Sequence, residues 1–387
     1  MFRLVSKFPN NRSMIDSTAC YVRYIGTLTS VDSATSSKPL SVTLSYLTNT
    51  CGLSPHRAAT VSKRVLIRST DKADLVLQLL RANGFTKTQI TTIISNVPHL
   101  ILADPKKTLQ HKIAYFESLG IAGPELRNIM CVHTGILKVS LKKRILPTID
   151  YLRVLLKTDE DAIFVFKRFP PIIACGAEVI SSNICTLRAL GVPEPSIRRL
   201  IVTWPRSLSF RVDIFGDAIR EAKELGCEPT SKSFIYALNS IVSMSKSKWE
   251  SKRKVLMSFG WSERDFLMAF RASPFFMTAS EKKMKQSMEF YLTKACLQLT
   301  DLVRRPLLFK ISLERTVIPR CSVLEVLMSK GLINKNVDVV LALSMTRKRF
   351  EDKFLACFKE DCPELIQAYY AKTFQGFGKK CLSIKSL

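Results

Sequence analysis

Apolar residues recur three and four positions apart in a short segment that ends one helix and begins another. In Leu80–Leu102, Gly84 ends a first apolar stretch and a second helical pattern follows. The apolar positions of that pattern are Ile90, Ile93, Ile94 and Val97. Pro98 ends it, because proline lacks the amide donor that a helix interior needs. The apolar run Leu100–Leu102 comes next.

The same arrangement recurs along the chain. The glycine position is held by Gly84, Gly120, Leu156, Gly191, Gly226, Gly260, Cys296 and Gly331, with spacings of 34 to 36 residues. The proline position is held by Pro98, Thr134, Pro170, Pro205, Ser240, Pro274 and Pro306, with spacings of 32 to 36 residues. Two markers with one period predict stacked repeats.

Each part of the repeat has a physical interpretation. The glycine supplies the left-handed residue that ends a helix. Thr86 with Gln89, and Ser262 with Asp265, have the spacing of a reciprocal cap that begins the next helix. We expect repeats without the proline, at Thr134 and Ser240, to be less sharply kinked.

A single repeat cannot bury its apolar face, so stacking predicts an all-α fold, an α-solenoid of roughly seven to eight repeats. We expect the repeat array to cover residues 38–355. Residues 356–387 are expected to form a C-terminal capping helix, near Pro363–Tyr370, and a basic tail.

The first 37 residues differ from the rest of the chain. Four basic residues face only two acidic ones, and seven serines punctuate the segment. Composition of this kind is typical of an organellar transit peptide, and the alternative is an N-terminal tail without a targeting role. Residues 1–37 hold few of the basic residues, so the basic excess belongs to the rest of the chain.

Charge narrows the class of partner. The chain carries 59 Lys and Arg against 32 Asp and Glu, a net charge of +27. A protein this basic is expected to bind a polyanion such as nucleic acid, and the alternative is a basic surface without that role. No uncharged apolar run reaches about 18 residues, which predicts no transmembrane helix. Four histidines and no C-x-x-C pair predict neither a metal site nor a cofactor.

The repeat pattern L-x3-G-x5-I-x2-I-x4-P-x-L-L resembles the repeat of the mTERF family, the mitochondrial transcription termination factor proteins. Leu80–Ile101 fits this pattern at every fixed position except the last, where isoleucine stands for leucine. Segments starting at Ser41 and Ser312 also resemble the plant branch of the family. The resemblance covers roughly Leu40–Glu364.

The resemblance implies a half-doughnut of two-helix repeats, each with a short 3₁₀ helix, around a basic inner groove. It also implies organellar nucleic-acid binding, in transcription termination or initiation, intron splicing or ribosome biogenesis. We expect double-stranded DNA as the partner, with RNA as the alternative. A mitochondrial location is favoured over the chloroplast, and the protein is expected to be a monomer that does not bind membranes. Other organellar gene-expression factors are further candidate partners.

Basic residues recur close to the proline position, which predicts that they lie on one side of the stack and contact phosphates. They are Lys167, Arg168, Arg198, Arg199, Arg206, Arg271, Arg304 and Arg305. The alternative is a solvated outer face. Aromatic residues near the prolines, such as Trp204 and Phe275, could stack on bases, but their helical phase favours the core.

Two other classes of function were weighed against nucleic-acid binding. The sequence has no Walker loop, G-x-S-x-G or H-E-x-x-H motif, so no enzymatic activity is expected. A protein-interaction scaffold of TPR or PPR type has a similar period, but the mid-repeat proline and the charge of +27 argue against it.

Overall fold

A computed structural model of the chain describes residues 37–334 and 337–370. These residues form helices and turns without any strand, which confirms the all-α helical-repeat fold. They divide into two compact units. The N-terminal unit comprises residues 37–188 and 197–212, and the C-terminal unit comprises residues 189–196 and 213–370. The expected transit peptide and the basic tail after residue 370 lie outside the described residues. The predicted domain boundaries stay predictions.

The α-helices follow one another closely along the chain. Those of the first half are α1 Ser37–Ser45, α2 Pro55–Ser62, α3 Asp71–Ala82, α4 Lys87–Asn96, α5 His111–Ser118, α6 Gly123–Val132, α7 Leu146–Leu156, α8 Asp159–Arg168, α9 Ile172–Cys175, α10 Ala177–Ala189 and α11 Glu194–Thr203. Those of the second half are α12 Val212–Glu224, α13 Phe234–Val242, α14 Lys246–Ser258, α15 Glu263–Ala272, α16 Glu281–Thr293, α17 Leu299–Arg304, α18 Ile318–Ser329, α19 Val339–Ser344, α20 Arg347–Phe350 and α21 Leu365–Tyr370.

Short 3₁₀ and π-helical turns connect these helices. The 3₁₀ helices of the repeats are Pro98–Leu102, Thr134–Lys138, Pro205–Ser209, Pro274–Thr278 and Pro306–Lys310, and another spans Ala356–Phe358. The π-helical turns are Tyr46–Thr50, Lys106–Gln110, Leu141–Ile145, Leu313–Val317 and Glu351–Leu355. A typical repeat is therefore a first helix, a 3₁₀ helix and a longer second helix that ends at the glycine position.

The residue at the glycine position adopts the left-handed backbone conformation, as predicted, except that in one repeat the next residue adopts it instead. Six of the glycines at this position have positive φ, and Cys296 adopts the same conformation with φ of 52°. The prediction for Leu156 was wrong, because helix α7 continues through this residue and Lys157 takes the left-handed conformation with φ of 66°. A non-glycine residue in this region is strained because its Cβ approaches the following carbonyl.

The two repeats without the proline differ from each other. At Thr134 a 3₁₀ helix forms as it does at the prolines, and the less sharp kink stays a prediction there. Ser240 lies inside helix α13, and the chain is not broken at this point. Its hydroxyl donates a hydrogen bond to the Pro274 carbonyl at 2.9 Å, within the C-terminal unit.

Buried donors tie the second helix of one repeat to the carbonyls near the end of the next short helix. Lys112 Nζ donates to Leu137 O at 2.6 Å, and Lys252 Nζ donates to Met277 O at 2.7 Å. Burial lowers the pKa of Lys112 to about 8. These bonds compensate the carbonyls that the end of a short helix leaves without partners.

Aromatic rings fill the core of each unit. In the N-terminal unit the rings of Phe116 and Phe166 stack with centroids 5.3 Å apart. In the C-terminal unit Trp249 packs edge-on against Phe270 at 5.4 Å, and Phe276 is fully buried. Several aromatics from the proline segments and second helices thus belong to the core.

Candidate nucleic-acid interface

The eight basic residues predicted to bind phosphates are all exposed, but several are engaged within the fold. Lys167 and Arg168 lie in the last turn of α8. Lys167 Nζ forms an ion pair with Glu125 at 2.8 Å, and Arg168 Nε donates to the Thr203 carbonyl at 2.7 Å. Cations in the last turn of a helix are favoured by its dipole, so these two positions have a structural explanation.

Arg198 and Arg271 cap the ends of earlier second helices. Arg198 Nη1 donates to Leu156 O at 2.7 Å, and its other terminal nitrogen pairs with Asp161. Arg271 Nε donates to Leu225 O at 2.9 Å. The side chain of Arg271 lies against Gly226, where any side chain would clash with its guanidinium. The glycine is therefore needed both for its left-handed φ and for this close approach.

The same capping contact recurs at Arg127, which sequence reasoning did not select. Its Nη1 donates to Asn83 O at 3.4 Å, beside Gly84. Each capping arginine lies 42 to 46 residues after the carbonyl that it binds. These arginines satisfy orphan carbonyls and join consecutive repeats.

The other four predicted residues are Arg199, Arg206, Arg304 and Arg305. Arg206 lies over the ring of Phe210, 5.9 Å from its centroid, and Arg199 is exposed on α11. Arg304 and Arg305 are exposed, and their side chains form no hydrogen bond or ion pair with any residue that the structure describes. Of the eight, these two are the freest to contact a ligand.

A second set of cations, which was not among the eight predicted residues, lies at the starts of second helices. Here a Ser, Thr or Asp side chain accepts a hydrogen bond from the backbone N–H of a basic residue three positions later. The pairs are Asp104 with Lys107, Ser140 with Lys143, Ser245 with Lys248, Ser280 with Lys283, Ser312 with Arg315 and Thr346 with Arg349. We call these six basic residues the second-helix cations.

Their position is electrostatically unfavourable for the fold. The first turn of a helix is the positive end of its dipole and favours Asp or Glu. The third residue after a Ser or Thr cap is ordinarily Glu or Gln, as in a capping box. All six second-helix cations occupy the position where Glu or Gln is usual, and five of them are exposed. The helix dipole does not favour a cation there.

Most second-helix cations also lack partners. Lys143, Lys248, Arg315 and Arg349 form no side-chain hydrogen bond or ion pair within the part of the chain that the structure describes. Lys142, next to Lys143, is likewise exposed and unpaired among those residues. Lys107 is 4.0 Å from the Asp104 carboxylate in an exposed pair. Exposed pairs of this kind contribute little.

A sequence signal for these residues existed. The spacing from a Ser, Thr or Asp to a Lys or Arg three residues later is repeated at the same phase in six repeats. The capping-box rule would have identified each of these positions as a helix start that carries a cation where Glu or Gln is usual.

Comparison with known proteins agrees with the repeat architecture. The family model described as mTERF matches residues 77–228 and 222–351. These matches extend over more than half of the chain. The chain belongs to the mTERF family. At the level of the family, mTERF proteins are helical-repeat proteins that bind nucleic acid.

One curated relative is a transcription termination factor of Arabidopsis thaliana named MTERF15, mitochondrial. It is 18% identical to this chain over 292 residues, which is 75% of this chain. The chain spans 57% of that relative's length. Among residues 37–334 and 337–370, no helix is long and apolar enough to span a membrane.

Proposed function

We propose that this protein is an organellar nucleic-acid-binding protein that binds double-stranded DNA and regulates transcription, at termination or initiation. The observation that carries this proposal is the set of second-helix cations, which recurs at six second-helix starts of the described residues, where the helix dipole does not favour a cation. Membership of the mTERF family and the net charge of +27 support it.

Phosphate recognition explains why the cations recur with the repeat. A nucleic-acid backbone offers regularly spaced negative charges, and this chain offers a cationic helix start in six of its repeats. The helix start adds its own positive dipole to the Lys or Arg charge, so the two act together on an anion. Within each unit, Lys143 and Lys248 with their neighbours are the proposed phosphate contacts.

The eight basic residues predicted from the sequence remain part of the proposal, but they are expected to contribute unequally to binding. Arg304 and Arg305 are proposed to contact phosphates, because they are exposed and unpaired among the described residues. Arg199 and Arg206 are proposed as further contacts. Lys167, Arg168, Arg198 and Arg271 are expected to contribute less, since their intramolecular contacts occupy them.

Salt dependence of binding tests this function. Phosphate contacts release counterions, so affinity for duplex DNA should fall steeply, by roughly 10³- to 10⁵-fold between 50 and 200 mM salt for about 6–10 contacts. The measurement is fluorescence anisotropy with duplex DNA and with single-stranded RNA of matched sequence. Tighter binding to RNA would replace DNA by RNA in the proposal. Affinity that does not change with salt for either ligand would contradict it.

The organelle is proposed to be the mitochondrion. The relative's name refers to that compartment, and the basic, Ser-rich first 37 residues are expected to act as a targeting segment. Microscopy of the full chain fused to a fluorescent protein at its C-terminus, beside the same fusion without residues 1–37, tests both. Chloroplast import of the full chain would overturn the assignment.

Crosslinking in the organelle followed by sequencing of the bound nucleic acid identifies the target. Fragments clustered at transcript ends or promoters of organellar DNA are expected. Fragments confined to intron RNA or ribosomal RNA would point to splicing or ribosome biogenesis instead.

A further inference from the structure

Three lysines of the C-terminal unit converge on two consecutive 3₁₀ helices. Lys252 on α14 donates to Met277 O at 2.7 Å. Lys310 Nζ donates to the hydroxyl of Thr278, the next residue, at 2.8 Å. Lys283 on α16 donates to the carbonyl of Lys310 at 2.7 Å. The three ammonium groups are therefore linked through neighbouring backbone and hydroxyl oxygens of the same short segments.

These ammonium groups are held by neutral acceptors. Lys252, Lys283 and Lys310 form no ion pair with a carboxylate of the described residues. Lys252 is 8% exposed, and the other two are half-buried. Burial lowers the pKa of Lys252, Lys283 and Lys310, and the charge of Lys283 adds to the lowering at Lys310. The arrangement brings like charges together without an ion-paired carboxylate among the described residues, which costs stability.

The charges around the cluster are unbalanced. Lys248 and Lys310 disfavour the charged form of Lys252, and Glu281 is the carboxylate that favours it. Two positive groups and one negative group thus act on Lys252. A site that places like charges together in partly buried surroundings is suited to a ligand of opposite charge.

The cluster retains free donors on its open side. An ammonium group has three N–H donors, and Lys283 and Lys310 each use one on a protein oxygen. The remaining donors of these two half-buried side chains are available to an anion. The aliphatic and ammonium end of Lys310 lies over the Phe275 ring, 4.6 Å from its centroid, which fixes its direction.

We propose that Lys252, Lys283, Lys310 and the Thr278 hydroxyl form a phosphate-binding site, which holds one backbone phosphate of the bound nucleic acid. Lys283 and Lys310 contact the phosphate oxygens directly. Thr278 orients Lys310 by accepting its hydrogen bond, and Lys252 supplies buried positive charge behind the site. That the phosphate belongs to a nucleic acid rests on the proposed function, whereas the existence of a phosphate-binding site does not.

Inorganic phosphate is the probe that tests the site alone. The melting temperature of the full chain is measured by circular dichroism in phosphate and in chloride at matched ionic strength. The parent protein should melt on the order of 2 °C higher in phosphate because of binding to the folded state. Lys283→Gln and Lys310→Gln should lose the binding part of this shift, and Lys310→Arg should keep it.

Lys285→Gln is the matched control. Lys285 lies two residues after Lys283 on α16 and is exposed, so its loss should leave the phosphate shift intact. General salting-out by phosphate stabilises every variant equally. Equal shifts in the parent, Lys283→Gln, Lys310→Gln and Lys285→Gln would therefore overturn the site.

A second experiment measures nucleic-acid binding. The double variant Lys283→Gln, Lys310→Gln should lower the salt slope of duplex binding by about 1, because both lysines contact the same phosphate. An unchanged slope together with a lost phosphate shift would overturn the assignment to a backbone phosphate. Failure of the proposed function is distinct, because the parent protein would then bind nucleic acid without salt dependence.

Discussion

Several first and second helices of the repeat begin with the same kind of cap and differ at the third residue after it. In first helices such as α4 and α15 that residue is an amide or acidic, in the capping boxes of Thr86 with Gln89 and Ser262 with Asp265, whereas α2 has Arg57 after Ser54. In six second helices it is Lys or Arg, as after Ser140 and Ser245. Both kinds of helix start have the same dipole, so the same rule should hold for both.

The difference separates residues that serve the fold from residues that serve a ligand. A natural sequence follows local rules except where function requires otherwise. First helices such as α4 and α15 follow the rule at the third position after the cap, and Arg198 and Arg271 on first helices cap carbonyls. Helix α2 departs from the rule, because Arg57 follows its cap Ser54. The second helices break the rule at six places in the described residues. Charge alone does not identify the interface, whereas charge in an unfavourable position does.

The largest effect on stability is expected from the capping arginines. Arg198→Ala removes the bonds to Leu156 O and Asp161 and should lower the free energy of unfolding by about 1–3 kcal/mol. Affinity for duplex DNA should stay nearly the same under conditions where the variant is folded. Urea unfolding and anisotropy check the two expectations, and a stable variant with much weaker binding would place Arg198 in the interface.

Reversing the charge at a first-helix start comes next. Asp265→Lys should lower the free energy of unfolding by about 1–2 kcal/mol, since it breaks the capping box and places a cation at the positive end of α15. Hydrogen bonds from Ser262 lower the pKa of Asp265. Its stabilising effect is therefore present above the ordinary Asp pKa and is lost as the pH falls through the lowered value.

The control for this expectation is Asp265→Asn, which keeps the capping geometry without the charge. Thermal unfolding of both variants is the measurement. Asp265→Asn should lower the free energy of unfolding by less than Asp265→Lys does. Equal losses for both variants would show that the charge at this helix start has no effect, and the comparison between helix starts would then fail.

A smaller effect is expected at the end of a second helix. Lys157→Gly should raise the free energy of unfolding by about 1 kcal/mol, because glycine adopts the left-handed conformation without strain. Lys157→Ala keeps the strain and should show no gain. Thermal unfolding of the two variants is the measurement. Equal stability of Lys157→Gly and the parent protein would show that the left-handed conformation of Lys157 carries no strain.

The smallest effect is expected at the start of a second helix. Lys248→Glu should raise the free energy of unfolding by about 0.3–1 kcal/mol, because an acidic residue suits the helix dipole and completes the capping pattern after Ser245. The same variant should bind nucleic acid more weakly. A loss of stability in urea unfolding would show that this lysine serves the fold.

The repeat could be predicted from the sequence because its markers are local. Glycine and proline act through their own backbone, so their spacing gave the helix ends and the family. Leu156 was assigned wrongly because Lys157, a residue that rarely adopts positive φ, takes the glycine position. Ser240 lies within an unbroken helix, since no proline removes a donor there.

The candidate site was harder to predict because its contacts are distant in sequence. Arg271 and Leu225 are 46 residues apart, and nothing local shows that this arginine is occupied. The second-helix cations were visible as a pattern, but their meaning depends on the exact start of each helix. That start is the least certain feature of a helix read from sequence.

Salt dependence of two matched variants tests the central claim most directly. One variant carries Lys142→Gln, Lys143→Gln, Lys248→Gln and Arg315→Gln at second-helix starts. The other carries Arg127→Gln, Arg168→Gln, Arg198→Gln and Arg271→Gln, so it loses the same number of charges from residues that the fold uses. Duplex DNA affinity is measured from 50 to 200 mM salt, at a temperature where both variants are folded.

The first variant should reduce the salt slope by about 4 and weaken binding by about two orders of magnitude at 150 mM salt. The second should keep the slope of the parent protein. Equal loss of slope in both variants, or a larger loss in the second, would contradict the claim that the second-helix cations form the nucleic-acid interface.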